Sequence, residues 1–301
     1  MHESLGLTEY RDIPSVVVLA DSPSGEARAR RGVQAAGCRV SAAASIDDAS
    51  DRLARQVAAD AVLAELDGDH GAKLDALLDQ LASAASSGRH GIVISAPLAL
   101  IDRIAARAFH PAVHHLCEPS DAERAMAVGL AAGRRTAWLH DIGKSESTAR
   151  LQQLSEEVGR IASILAALSE DEAAAANGAG SGEEGVRIEA GQVRTIIRAR
   201  RMRDHFFKGE LFADPAWDML LDLMAARLEQ QRVAVSSLCI AAAVPPTTAL
   251  RWIKTLCDQG LFVRVADPED GRRVFIELSD GAAAALAGYL KAVQRLAPLT
   301  L

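Results

Sequence analysis

Aromatic residues are scarce in this chain: six Phe, three Trp and two Tyr make up 4 % of 301 residues. Alanine carries much of the apolar share instead. Alanine is the strongest helix former and a poor filler of large cores, so the composition leans helical. No run of eighteen apolar residues occurs, which excludes a membrane-spanning helix of ordinary length. Met1 to Pro14 carries Glu3, Glu9, Arg11 and Asp12 and lacks an apolar signal core. A cytoplasmic protein with no membrane partner is therefore expected. The four cysteines, Cys38, Cys117, Cys239 and Cys257, are widely spaced and form no C-x-x-C pair. That pattern argues against a disulfide framework and a zinc ribbon, and for buried small hydrophobes in a reducing compartment. Positive charge is also short, with 33 Lys+Arg against 40 Asp+Glu and a net charge of −7. That total speaks against nucleic acid until it is apportioned along the chain.

The length calls for two domains or a little more, and the chain divides into three regions. Residues 1–133 alternate short apolar runs with helical stretches. The runs are Val16 to Ala20, Arg39 to Ala42, Asp60 to Leu66, Gly91 to Ser95 and Val113 to Cys117. Helical stretches fall between them: an Arg-rich one after Asp21 to about Ala36, one starting near Ser45, and others at Leu74 to Ala85, Ile101 to Ala108 and Ala122 to Leu130. Such alternation predicts a doubly wound parallel sheet with both faces covered.

Residues 134–185 form a helical connector. Leu151, Leu154, Val158, Ile161, Leu165 and Leu168 are spaced 3-4-3-4-3, the a/d seam of a two-stranded coiled coil and hence of a homodimer. One amphipathic helix packed on a neighbouring domain would show the same spacing. Residues 173 to 185 hold Ala, Gly, Ser and Glu without a large apolar group and read as a flexible linker.

Residues 186–301 change rhythm. Helices are expected at Gln192 to Phe207, at Pro215 to Gln231 with Asp214 as N-cap, at Ser236 to Ala243 and at Thr247 to Gln259. The turn Val244-Pro245-Pro246 separates the last two. Strands at Leu261 to Val265 and Val274 to Leu278 flank a turn-rich tip, and a helix from Asp280 to Leu296 closes the chain. This order is that of a winged helix-turn-helix. In the helix from Thr247, Leu250, Ile253, Leu256 and Cys257 share one face, while Thr247, Thr248, Arg251, Lys254 and Thr255 share the other. A major groove accepts such a helix, and Arg and Lys pair with guanine edges or phosphates. Arg272 and Arg273 at the hairpin tip, with Asp270 beside them, are placed to grip the DNA backbone or minor groove.

Thr248 to Gly281 resembles the recognition helix and wing of MarR-type transcription regulators. The matching residues are Arg251, Leu256, Gly260-Leu261, Arg264, Asp267-Pro268, Asp270, Arg272, Leu278-Ser279 and Gly281. Gly271 between Asp270 and Arg272 departs from that pattern. The resemblance covers about a third of the chain. It implies a DNA-binding homodimer with Arg272 on the duplex. The cluster Arg194, Arg198, Arg200, Arg201 and Arg203 would touch phosphates or pair across a dimer interface.

The first region resembles a response-regulator receiver, whose chemistry needs an acceptor Asp, an acidic pair, a Ser/Thr and a Lys before a Pro. Here Glu65 stands at the acceptor position, and Asp21 has Ala20 in place of its acidic neighbour. Ser95 keeps the hydroxyl position, and Glu118 replaces the Lys before Pro119. The resemblance thus implies a non-phosphorylatable pseudo-receiver, used for dimerisation or for binding a signalling protein. The string His140-Asp141-Ile142-Gly143-Lys144 resembles the metal motif of HD-type phosphohydrolases, with His110, His114 and His115 upstream. That fold requires a helical domain of its own and a further downstream Asp, whereas a heptad seam and a linker follow here. The expectation is a non-enzyme with no cofactor and no metal, whose partners are double-stranded DNA and a second copy of the chain. The alternatives are an interaction scaffold whose winged helix binds protein and an HD-type metal-dependent phosphohydrolase using His140-Asp141.

Divided by region, the charge changes meaning. Residues 186–301 hold 16 Lys+Arg and 13 Asp+Glu, a balance of +3, and residues 1–185 hold 17 and 27, a balance of −10. The acidity lies outside the expected DNA reader.

Overall fold

A computed structural model describes residues 13–55, 59–140, 188–207 and 212–296. The heptad positions Leu151 to Leu168, the linker and Asp141 to Lys144 lie outside them. His140 is the last residue of a described helix.

The first region alternates strand and helix as expected. Its elements are β1 (Ser15–Ala20), α1 (Pro23–Ala35), β2 (Arg39–Ser45), α2 (Ala49–Arg55), β3 (Ala61–Glu65), α3 (Ala72–Ser86), β4 (Gly91–Ala96), α4 (Leu98–Ala108), β5 (Val113–Cys117) and α5 (Asp121–His140). The five strands are all parallel, in the order β2-β1-β3-β4-β5. This is the order of flavodoxin-like doubly wound sheets. Val16 to Leu19 have no exposed surface. Alternation explains why so apolar a run is tolerated. Val17 and Leu19 join the core with Leu74, Leu78 and Ile104 of α3 and α4, while Val16 and Val18 join Ala29, Val33 and Val128 of α1 and α5 on the other face.

Several boundaries differ from expectation, among them β2, which runs on to Ser45, and α4, which begins at Leu98. The helix expected near Ser45 begins at Ala49, because Ser45 stays in β2 opposite Ala20 and its hydroxyl bonds Asp48 at 2.8 Å in the turn. The helix from Asp121 continues beyond Leu130 to His140.

The C-terminal region contains α6 (Ala190–Phe206), α7 (Pro215–Leu228), β6 (Val233–Ala234), α8 (Val235–Ala241), α9 (Pro246–Asp258), β7 (Phe262–Ala266), β8 (Val274–Leu278) and α10 (Asp280–Leu296). Asp214 caps α7 by accepting the Trp217 amide at 3.3 Å, with Pro215 at the first helical position. Gly260, at φ 71°, turns the chain out of α9 into β7. An antiparallel sheet in the order β6-β8-β7 forms the wing, and its third strand, β6, was not foreseen. Residues up to Arg134 and from Ile188 onward pack as one compact unit. One hydrophobic cluster contains Ile101, Ala105 and Cys117 together with Leu238, Leu250, Ile253 and Ile276.

Candidate nucleic-acid interface

Helix α9 presents the two faces its sequence predicts. Ala249, Leu250, Ile253 and Leu256 are buried, while Arg251, Trp252 and Thr255 are exposed. The face expected to meet DNA is nevertheless not uniformly open. Thr247 is buried, its Oγ1 donating to the Cys117 carbonyl at 3.1 Å and accepting the Cys117 amide at 2.9 Å. It sits in the first turn of α9, which abuts the end of β5. Thr248 and Lys254 are half-buried, and the Lys254 ammonium donates to the Pro111 carbonyl. A cleft of about 400 Å³ runs between α9 and the β5–α5 edge, lined by His114, Met126, Leu130, Thr248, Arg251 and Lys254 among others.

The wing tip is tied by its own turn. Asp270 Oδ1 accepts the Arg272 amide at 3.0 Å, and its Oδ2 lies 3.8 Å from the Arg273 guanidinium. Asp270 thus orients Arg273 by charge and Arg272 by backbone. Arg272 and Arg273 are exposed, and Arg272 Nε lies 3.7 Å from Asp75 of α3. At the base of the wing, Arg264 donates to the carbonyls of Ala105 and Phe109 and stands 5.0 Å over the Phe109 ring. Burial lowers the Arg264 pKa from its usual value.

Two arginines of the basic stripe are paired with carboxylates of the next helix. Arg194 binds Asp222 at 2.6 Å and both oxygens of Glu229, and Arg200 binds Asp218 at 2.9 Å. They hold α6 to α7. The Glu229 carboxylate, hydrogen-bonded to Arg194, is held below the ordinary carboxylate range.

The pocket at the C-terminal edge of the parallel sheet is lined by charge pairs. Glu65 is 3 % exposed and accepts Arg124 at 2.9 and 3.0 Å and Arg28 at 3.0 Å. Asp21 Oδ2 accepts the amides of Asp67 and Gly68 at 2.8 and 2.9 Å and contacts His70 at 3.0 Å. It therefore organises the loop after β3. Ser95 is buried opposite Glu65 in the sheet register. Glu118, at φ 49°, is exposed beside the pocket. Arg28 and Arg124 were not singled out in the sequence. The signal was present: a glutamate ending an apolar strand of a two-sided parallel sheet is buried and requires a cation. Gly32 makes room for Arg124, since a β-carbon there would lie 2.7 Å from Arg124 Cγ and Cδ.

Residues 222–282 match the family described as winged helix DNA-binding domain. No curated protein matches the chain. Among solved structures, the chain is similar to a probable transcriptional regulator from Pseudomonas aeruginosa, at 29 % identity over 36 % of this chain and 81 % of that one, TM-score 0.24. It is also similar to a MarR mutant from E. coli, at 17 % identity over 36 % and 79 %, TM-score 0.24. A third similar structure is the PcaV transcriptional regulator from Streptomyces coelicolor, at 20 % identity over 41 % and 86 %, TM-score 0.22. The C-terminal region is a winged helix domain of the DNA-binding kind, joined to a five-stranded parallel α/β domain.

Proposed function

We propose that this protein is a DNA-binding transcriptional regulator that acts as a homodimer. The observation that carries this reading is a winged helix, matched over residues 222–282, with Arg251 and Thr255 exposed on α9 and Arg272 and Arg273 exposed on the wing. In this role Thr248, Arg251, Lys254 and Thr255, with Thr247 in the first turn, read the major groove. Arg272 and Arg273 hold backbone or minor groove. A two-fold dimer, with the heptad positions Leu151 to Leu168 as its seam, calls for two half-sites. The N-terminal domain serves as a receiver-like regulatory domain without phosphotransfer. A glutamate paired with two arginines stands at the acceptor position, and the carboxylate already occupies the cations nearest to it.

The test is binding of the full chain to a pool of genomic fragments at two salt concentrations. Each phosphate-contacting arginine lost should flatten the salt slope by about one unit. An Arg251/Arg272/Arg273 triple alanine variant with unchanged affinity and slope would refute the DNA-reading assignment. A small-molecule phosphodonor should leave no label on the wild-type chain, and label lost on Glu65→Ala would refute the regulatory half.

A further inference from the structure

We propose that the α3–α4–β5 side of the N-terminal domain is a built-in cap on the DNA-reading surface, so that the arrangement seen here is a closed state and DNA must compete with the parallel sheet domain for the same face. The proposal rests on the DNA-binding reading above and specifies its regulation.

The contacts fall on the groups that would engage a duplex. In α9, Thr247 is bonded to both main-chain groups of Cys117, and Lys254 to the Pro111 carbonyl. At the wing, Arg264 caps the C-terminal turn of α4 through the carbonyls of Ala105 and Phe109, and Arg272 faces Asp75. The first helix of the helix-turn-helix is held as well. Its N-cap, Ala234, has no side chain to offer, and Asp102 of α4 takes that place. Asp102 accepts the Ser236 amide at 2.8 Å and the Ser236 hydroxyl at 2.6 Å. Helix, recognition helix and wing are thus all fastened by one domain, α4 holding the first helix and the wing and β5 with the loop before it holding the recognition helix. B-form DNA approaching α9 along its Thr247–Lys254 face would have to occupy the space taken by β5 and the loop before it.

The chemistry makes these contacts exchangeable. Lys254 and Arg264 donate to neutral carbonyls, and a phosphate oxygen carries a full charge and is the stronger acceptor. Asp75, which faces Arg272 at 3.7 Å, is also held by Arg103 at 2.7 Å and Arg107 at 3.0 Å, so Arg272 is the outermost of three cations on one carboxylate. The open cleft of about 400 Å³ between α5 and α9, with Met126 and Leu130 exposed on its α5 side, leaves one flank of the seam unsealed. Arg251 and Arg273 stay exposed in the closed state, so first encounter with DNA does not require opening.

The experiment compares the full-length wild type with Asp102→Arg, which drives a cation between α4 and α8 without touching a DNA-reading side chain. Ser236→Ala is the milder second variant. DNA affinity is measured on the genomic fragment pool, and hydrogen exchange of residues 113–117 and 246–258 reports whether the seam has opened. The expected result is deprotected amides in both stretches and DNA affinity at least tenfold tighter than wild type, with a smaller gain in Ser236→Ala. In the wild type, saturating DNA should deprotect residues 113–117. Deprotection of the seam in either variant with wild-type affinity for DNA overturns the cap while leaving the DNA reader standing. An opened variant that binds no DNA at any salt overturns the DNA reading itself. If Asp102→Arg fails to fold, Ser236→Ala and the DNA-induced exchange in the wild type decide, and continued protection of residues 113–117 at saturating DNA overturns the proposal.

Discussion

Glu65 and Arg124 show how single residues set the character of the N-terminal domain. Both are almost fully buried, and the pair is stable because Arg124 uses two nitrogens on the carboxylate and Arg28 adds a third. Removing one partner strands the other in a low-dielectric site. Glu65→Ala should therefore cost about 3–5 kcal/mol of unfolding free energy by denaturant titration. Gly32→Ala should cost about 1–3 kcal/mol by displacing Arg124 from the same pocket. His115 supplies a second residue-scale expectation. It is buried on β5, its Nε2 2.9 Å from the Ala108 carbonyl and its ring stacked on Phe109 at 5.0 Å. Burial, offset in part by the bond to Ala108, pushes its pKa down to about 4. The unfolded chain then binds more protons than the folded one between pH 4 and 6.5. Stability is complete above about pH 6.5 and falls as pH drops toward 4, by up to about 3 kcal/mol. Denaturation curves at pH 7.5 and 4.5 should show this loss, and His115→Gln should remove most of it. Wild-type curves with no such loss would show that His115 is not held neutral.

Elements were legible where local chemistry decides them. Asp214-Pro215 marks the start of α7, Gly260 marks the end of α9, and β5, β8 and α10 run between the residues their patterns predict. Asp214→Ala should lower stability by about 1 kcal/mol, read as a shift in thermal midpoint. What local pattern missed has a physical reason in each case. The two residues of β6 are too few to show alternation, and they form a strand only because β8 offers its edge at Phe275 and Ile276. Ser45 could serve a helix start or a strand end, and pairing with β1 decided for the strand. The arginines of α6 had no readable partners until α7 packed beside them with Asp218, Asp222 and Glu229. Of the four cysteines expected to be buried, Cys117 and Cys239 are, while Cys38 and Cys257 are half-buried. None is bonded to another, and burial pushes the Cys117, Cys239 and Cys257 thiols up to about 11, 12 and 11.

At the scale of the molecule, charge and burial act together. Residues 186–301, at about +3, beside residues 1–185, at about −10, have little bulk attraction for a duplex, so the proposed DNA binding rests on specific contacts. Opening the seam should therefore raise the salt slope as well as the affinity, because Lys254 and Arg264 become available to phosphates. Affinities of Asp102→Arg measured across a salt series should fall more steeply than those of wild type, by about one unit per cation released. Equal slopes would mean that these cations do not reach DNA.

Sequence alone determined the alternation that builds the parallel sheet, the helix-turn-helix and wing, the glutamate at the end of β3, and the division of charge. These are properties of neighbours along the chain, set by periodicity, caps and residue identity. Tertiary structure alone decided which cations pair with Glu65, which arginines were paired within the chain, and which face of α9 was covered. Those outcomes depend on pairs such as Cys117 and Thr247 or Asp102 and Ser236, more than a hundred residues apart. Burial makes each such group take the partner that packing brings within hydrogen-bond reach, and spacing along the chain carries no record of that choice.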